Sequence, residues 1–315
     1  MPQSTTAQSP VALLTEDDWR TLLERIHDQK CTPFLGSESS FGVMPSRSSI
    51  AERWAAAEPD YPFEDSGDLS RVAQFIAIKR DRLEPREKIL EEMEKIPTPD
   101  FKSPDEPHGI LASLPLPVYI TTDYHNFMFA ALKSYRKDAR QEFCRWNASV
   151  KNEPSAFDSQ PGRAEITSFP DVANPVVFHL YGHAGVVESL VLTEDDYLEF
   201  LVETSKDPLR IPSRIQKAFT RTSLLFLGYR LTDLEFRVLL RSLVGSLEIS
   251  MARGHVSAQV IHVGNEPQTD KQIAQLVKTQ EYLSGYCRKF DITTYWGTTH
   301  DFLVELKQRW DAFPK

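Results

Sequence analysis

At 315 residues the chain is long enough for one large α/β domain or two ordinary ones. Its 41% hydrophobic and 26% charged content is that of a soluble globular protein, and its net charge of −9 argues against a general nucleic-acid coat. Cys31, Cys144 and Cys287 are too few and too scattered for a disulfide framework or a CxxC metal site. No apolar run approaches a membrane span, and the polar start MPQSTTAQSP lacks a signal pattern, so a cytoplasmic location is expected.

Residues 15 to 30 read as a helix that Thr15 caps, with Trp19, Leu22, Leu23 and Ile26 forming its apolar stripe. A short strand, Cys31 to Leu35, runs into Gly36-Ser37. From about Ser48 to Ala112 the pattern stays helical, which predicts a helical module inserted into a single domain spanning the chain. A strand at Val118 to Thr121 and a helix from about His125 to Ser134 come next. The stretch from Ala148 to Asn174, rich in polar residues and Pro, reads as a long loop.

Residues 175 to 201, PVVFHLYGHAGVVESLVLTEDDYLEFL, read as a buried strand, a glycine turn, a second short apolar strand and a capped helix. Thr193 is the N-cap with Asp196 three residues on, and Tyr197, Leu198, Phe200 and Leu201 supply the buried face. Asp195 and Asp196 are taken as helix-start charges. His179, Tyr181 and His183 alternate around the end of the first strand, so a regular strand turns all three to one face. Polar groups at the C-terminal end of a strand stand where open α/β sheets bind ligands.

Further on, strands are expected at Leu224 to Leu227, Ala258 to Val263 and Ile292 to Trp296. Helices alternate with them at about Asp233 to Leu247, Lys271 to Tyr286 and up to Trp310, with Thr232 and Glu235 as a capping box for the first. Five or six strands separated by helices imply an α/β fold, a Rossmann-like, mostly parallel sheet with helices on both faces. Two basic groups stand out. Arg210, Arg214, Lys217 and Arg221 fall at helical spacing if the helix continues past Pro212, and Lys133, Arg136, Lys137, Arg140 and Arg145 form a second cluster. Both read first as solvated faces. The i, i+4 spacing of His179 and His183 is not a zinc signature, and hydrogen-bonded structural histidines remain an alternative.

Five short segments carry a resemblance to the sirtuin-like domain family of prokaryotic NAD-consuming antiphage defence effectors. PFLGSESSFG (33–42) resembles its glycine-rich phosphate turn, with Gly36 at the first glycine, Ser37 at an alanine and Glu38 at the second glycine. VYITTDYHNFM (118–128) resembles a strand end reading Thr-Thr-Asn-Tyr-Asp, with Asp123 at the asparagine and His125 at the aspartate. FHLYGH (178–183) places Tyr181 at the family histidine, and LLFLGYRLTDLEFR (224–237) places Arg230 at a serine. TYWGT (294–298) resembles the final strand and turn.

The resemblance implies NAD as ligand or substrate and no metal, because the zinc-dependent deacetylases of the wider family use four cysteines. It implies that Asp123 positions ribose or water and that His183 or His179 relays a proton. Gly36, Ser37, Thr122 and Gly228 would cradle the phosphates, with Glu38, Thr121, Tyr229 and Arg230 beside them. An active chain would be an NAD glycohydrolase (NADase). The alternative is a catalytically inactive scaffold or nucleotide-sensing pseudoenzyme, since Tyr181 is a poor base with an unperturbed pKa of about 10. The implied partners are further copies in a homo-oligomer, or a separate sensor, ATPase-like or Argonaute-like defence protein.

Overall fold

A computed structural model describes residues 14–40, 43–158, 169–229, 237–238, 241, 254–259 and 269–314. Its frame is a seven-stranded sheet in the order β3-β4-β2-β1-β5-β6-β7, parallel at every pairing. The strands are β1 (Cys31–Leu35), β2 (Val118–Thr121), β3 (Arg140–Phe143), β4 (Val176–His179), β5 (Ser223–Leu227), β6 (His255–Gln259) and β7 (Ile292–Trp296). Central strands of a parallel sheet are covered on both faces, which is why CTPFL, VYIT, VVFH and SLLFL are buried at every residue. Two apolar layers result. Phe34, Ile120, Phe178 and Phe226 lie in one, and Leu35, Tyr119, Val177 and Leu225 lie in the other.

Helix α1 (Glu16–His27) opens with a capping box between Thr15 and Asp18 and buries Trp19, Leu22, Leu23 and Ile26, as its stripe requires. Between β1 and β2 come α2 (Arg47–Ala56), α3 (Leu69–Lys79), α4 (Glu84–Glu94) and α5 (Pro107–Ser113). Helix α6 (Phe127–Ser134) follows β2, and α7 (Glu194–Lys206) and α8 (Ser213–Arg221) separate β4 from β5. Helices α9 (Asp270–Arg288) and α10 (Thr299–Ala312) flank β7. No helix among the described residues is long and apolar enough to cross a membrane.

Several expectations are corrected. The sheet has seven strands because Arg140–Phe143 forms an edge strand beside β4 inside a polar stretch. The expected second apolar strand after Gly182 is instead a 3-10 turn, Val187–Ser189. Leu198 is exposed rather than buried on α7. β6 begins at His255, and the positions 260–263 of the expected strand lie outside the described residues. So does most of the expected helix from 233 to 247, with its capping box at Thr232 and Glu235.

The basic stripe at 210–221 forms only in part, with Arg214, Lys217 and Arg221 exposed on α8 and Arg210 outside it. The helix starts after Pro212, while Arg210 lies in a preceding 3-10 turn and bonds Glu203 at 2.9 Å. The second basic group disperses. Lys133 pairs with Asp138, Arg145 with Glu142, and Arg140 stacks over Phe169.

Candidate functional site

The sheet order places β2 on one side of β1 and β5 on the other. Strand order reverses at that junction, so the loops after β1 and β5 diverge around a crevice at their C-terminal ends. Gly36 and Ser37 leave β1 there, Thr121, Thr122 and Asp123 lie at the end of β2, and Gly228 and Tyr229 follow β5. The fold thus gathers segments nearly two hundred residues apart.

The crevice is filled by the protein's own groups. Gly36 N–H donates to the Leu227 carbonyl at 2.8 Å. A Cβ on Gly36 would lie 2.6 Å from the Gly228 oxygen and 2.8 Å from the Tyr229 ring, so only glycine permits this approach. The Tyr229 hydroxyl is 2.9 Å from Thr122 Oγ1 and donates to the Leu35 carbonyl at 2.9 Å. Thr122 N–H donates to that same carbonyl at 3.0 Å. Burial holds the Tyr229 phenol well above its ordinary pKa, against the opposing pull of the Thr122 hydrogen bond and Arg47.

Asp123 and His125 are both buried beside this plug. Phe127 N–H donates to His125 Nδ1 at 3.2 Å, which leaves the proton of the neutral ring on Nε2. That Nε2 lies 2.9 Å from Ser40 Oγ and 3.4 Å from the Asp123 carboxylate, and Ser39 Oγ donates to the same carboxylate at 3.5 Å. The 3-10 turn Ser37–Ser40 therefore sits over Asp123 and His125. Asp123 N–H is held by Thr121 Oγ1 at 2.9 Å.

The expected row of His179, Tyr181 and His183 does not share one face. Strand β4 ends at His179, and Gly182 takes φ +80°, which breaks the alternation. His179 and His183 come together, with ring centroids 5.0 Å apart. Tyr181 turns into the apolar layer, where Tyr197 and Phe200 meet its ring edge-on at 5.2 Å each. His179 is fully buried and both its nitrogens are engaged. Nδ1–H donates to the Asp123 carbonyl at 3.3 Å, and Nε2 accepts from the Gln141 amide at 3.3 Å. Burial, with smaller contributions from His183 and His125, lowers its pKa to about 3. His179 is thus a neutral, satisfied core histidine. His183 is partly buried, its Nδ1 accepts from Gly185 N–H at 3.1 Å, and burial lowers its pKa.

The turn itself depends on Gly182, because a Cβ there would run into the backbone carbonyl of Ser189. Gly182→Ala is expected to cost about 2–4 kcal/mol through positive-φ strain and this clash. A urea unfolding midpoint matching wild type would contradict that packing.

Arg230 lies outside the described residues, and the side chain of Glu38 does too, so their pairing is not part of this geometry. Sequence reasoning missed Ser39, Ser40 and Arg47. Arg47 starts α2 and donates to the Tyr197 hydroxyl at 2.7 Å, which brings a cation beside Tyr181 and Tyr229. No spacing in the sequence marks Arg47, because the fold alone brings it to Tyr197, 150 positions away. Among the described residues no group of three or more His, Cys, Asp or Glu side chains could hold a metal ion, and the three cysteines are buried and free.

A family model described as a SIR2-like domain matches residues 117–281, just over half of the chain. No curated protein matches it.

Proposed function

The chain belongs to the SIR2-like domain family, which implies NAD as its ligand, and on that premise we propose a nucleotide-binding subunit lacking the family's ordinary turnover. Its setting in this proposal is a prokaryotic defence system. One observation carries the reading. The position of the family histidine is Tyr181, packed against Tyr197 and Phe200, while neighbouring His179 has no nitrogen free to take a proton. The family's own proton acceptor is therefore replaced at this strand end.

The arrangement described above does not fit a dinucleotide as it stands. The space on the Cβ side of Gly36 is taken by the Gly228 carbonyl and the Tyr229 ring, and Asp123 and His125 already hold serine partners. Assembly with further copies, or with a separate sensor, ATPase-like or Argonaute-like chain, belongs to the same proposal.

NAD hydrolysis at the nicotinamide–ribose bond is the second reading. The Asp123–His125 pair favours it, since a carboxylate 3.4 Å from an imidazole at a strand end is an arrangement suited to proton handling. Chromatographic assay of nicotinamide release separates the two. The first reading predicts no release from wild type above the rate of a heat-denatured control. Release by wild type that Asp123→Ala abolishes would replace it with the NADase.

A further inference from the structure

We propose that Tyr229 and the Ser37–Ser40 turn form a latch that closes the crevice from within, so that nucleotide enters only when the latch is released. The proposal rests on the NAD-binding reading and adds how that site is regulated. Three contacts make the latch. The Tyr229 hydroxyl bridges Thr122 Oγ1 and the Leu35 carbonyl, its ring lies against Gly36, and Ser39 and Ser40 tie the turn to Asp123 and His125.

The two halves have different strengths. Tyr229 packs 5.4 Å from the Phe34 ring, its carbonyl accepts from the Gln259 amide at 2.9 Å, and its hydroxyl bonds lie at ordinary length. The turn is held by one good hydrogen bond, Ser40 to His125, and one at the 3.5 Å limit, Ser39 to Asp123. Tyr229 is thus the stronger closure, and the turn follows it. A ligand that binds only the open state pays for opening, and its apparent affinity falls by the open fraction. Removing the plug lifts that penalty.

The test uses the full chain and two readouts. Hydrogen exchange without nucleotide reports opening at the amides of Gly36–Ser40 and of Thr122, with the β7 amide of Thr294 as an internal reference. NAD titration reports the consequence. Tyr229→Ala is expected to speed exchange at those amides while Thr294 stays protected, and to tighten NAD binding about five- to tenfold. Tyr229→Phe keeps the ring, loses the hydroxyl bonds and is expected to fall between, which covers an alanine variant that folds poorly.

Unchanged exchange in both variants overturns the latch, whatever NAD does. Faster exchange with the same NAD affinity as wild type overturns the regulatory role. Faster exchange with NAD binding by neither wild type nor variant supports the closure and removes the NAD-binding reading instead.

Discussion

Arg86→Ala is expected to destabilise the protein by about 3 kcal/mol, because it leaves the buried Asp196 carboxylate with the exposed Arg82 guanidinium, 3.7 Å away, as its remaining described cation. Arg86 on α4 and Asp196 on α7 are both buried, and Nη2 reaches Oδ1 and Oδ2 at 2.9 Å each. Other polar groups there are also used. Arg86 Nη1 donates to the Arg82 carbonyl, and Asp196 accepts from the N–H groups of Leu192 and Thr193. Around this pair, Arg71 bonds Glu194 at 3.2 Å and Gln74 bonds Asp195 at 2.9 Å, so all three acids in the first turn of α7 are held by helices inserted between β1 and β2.

The half-exposed links contribute little, because solvent screens them. The buried pair sets the attachment. Chemical denaturation measures the loss, and a paired Arg86→Met, Asp196→Leu variant should recover most of it apart from about 1 kcal/mol of helix capping. An Arg86→Ala variant within about 1 kcal/mol of wild type would contradict this account of the pair.

Acid is expected to produce the second large effect. Burial lowers the pKa of His179 to about 3 and that of His255 to about 4. In the unfolded chain both return to about 6.5, so the unfolded state takes up protons first as the pH falls. Stability is therefore full above about pH 6.5 and is lost below it, at about 1.4 kcal/mol per pH unit for each histidine. From about pH 7.5 to about pH 5 the two together remove about 4 kcal/mol, a large share of the stability of an ordinary domain.

The cause is local in each case. His179 already uses both nitrogens, and His255 Nδ1 accepts from Leu224 N–H at 2.9 Å, so protonation would break a bond as well as bury a charge. Melting temperature followed across this range measures the slope. Replacing His179 with glutamine should remove about half of it, and a flat profile between about pH 7 and pH 5 would contradict the burial argument.

Much of the frame was legible because apolar runs and caps are local signals. CTPFL, VYIT and ITTYW were delimited by their own composition, and the N-caps at Thr15 and Thr193 marked two helix starts. β3 was not legible. Its sequence, RQEF, carries two charges, and Glu142 is buried only because Arg145, Ser155 and the Ala156 amide receive it. Asp196 read only as a helix-start charge for the same reason, since its cation lies 110 residues away.

The site was half legible. Glycine and threonine positions at strand ends named the crevice, since strand ends are where open sheets place ligands. What fills it depended on tertiary direction. Regular alternation would have put Tyr181 beside His179, but the chain leaves the strand at His179 and Gly182 redirects it. The tyrosine went to the core and the histidine pair formed without it. Leu198 shows the converse, an apolar residue at a plausible helical spacing that nonetheless faces outward.

In the proposed function, this SIR2-like chain holds NAD without cleaving it. Calorimetric titration of NAD into the full chain, followed by chromatography of the same sample, tests it most directly. Saturable binding is expected, with NAD recovered intact after prolonged incubation. Nicotinamide and ADP-ribose accumulating in step with enzyme concentration would contradict it.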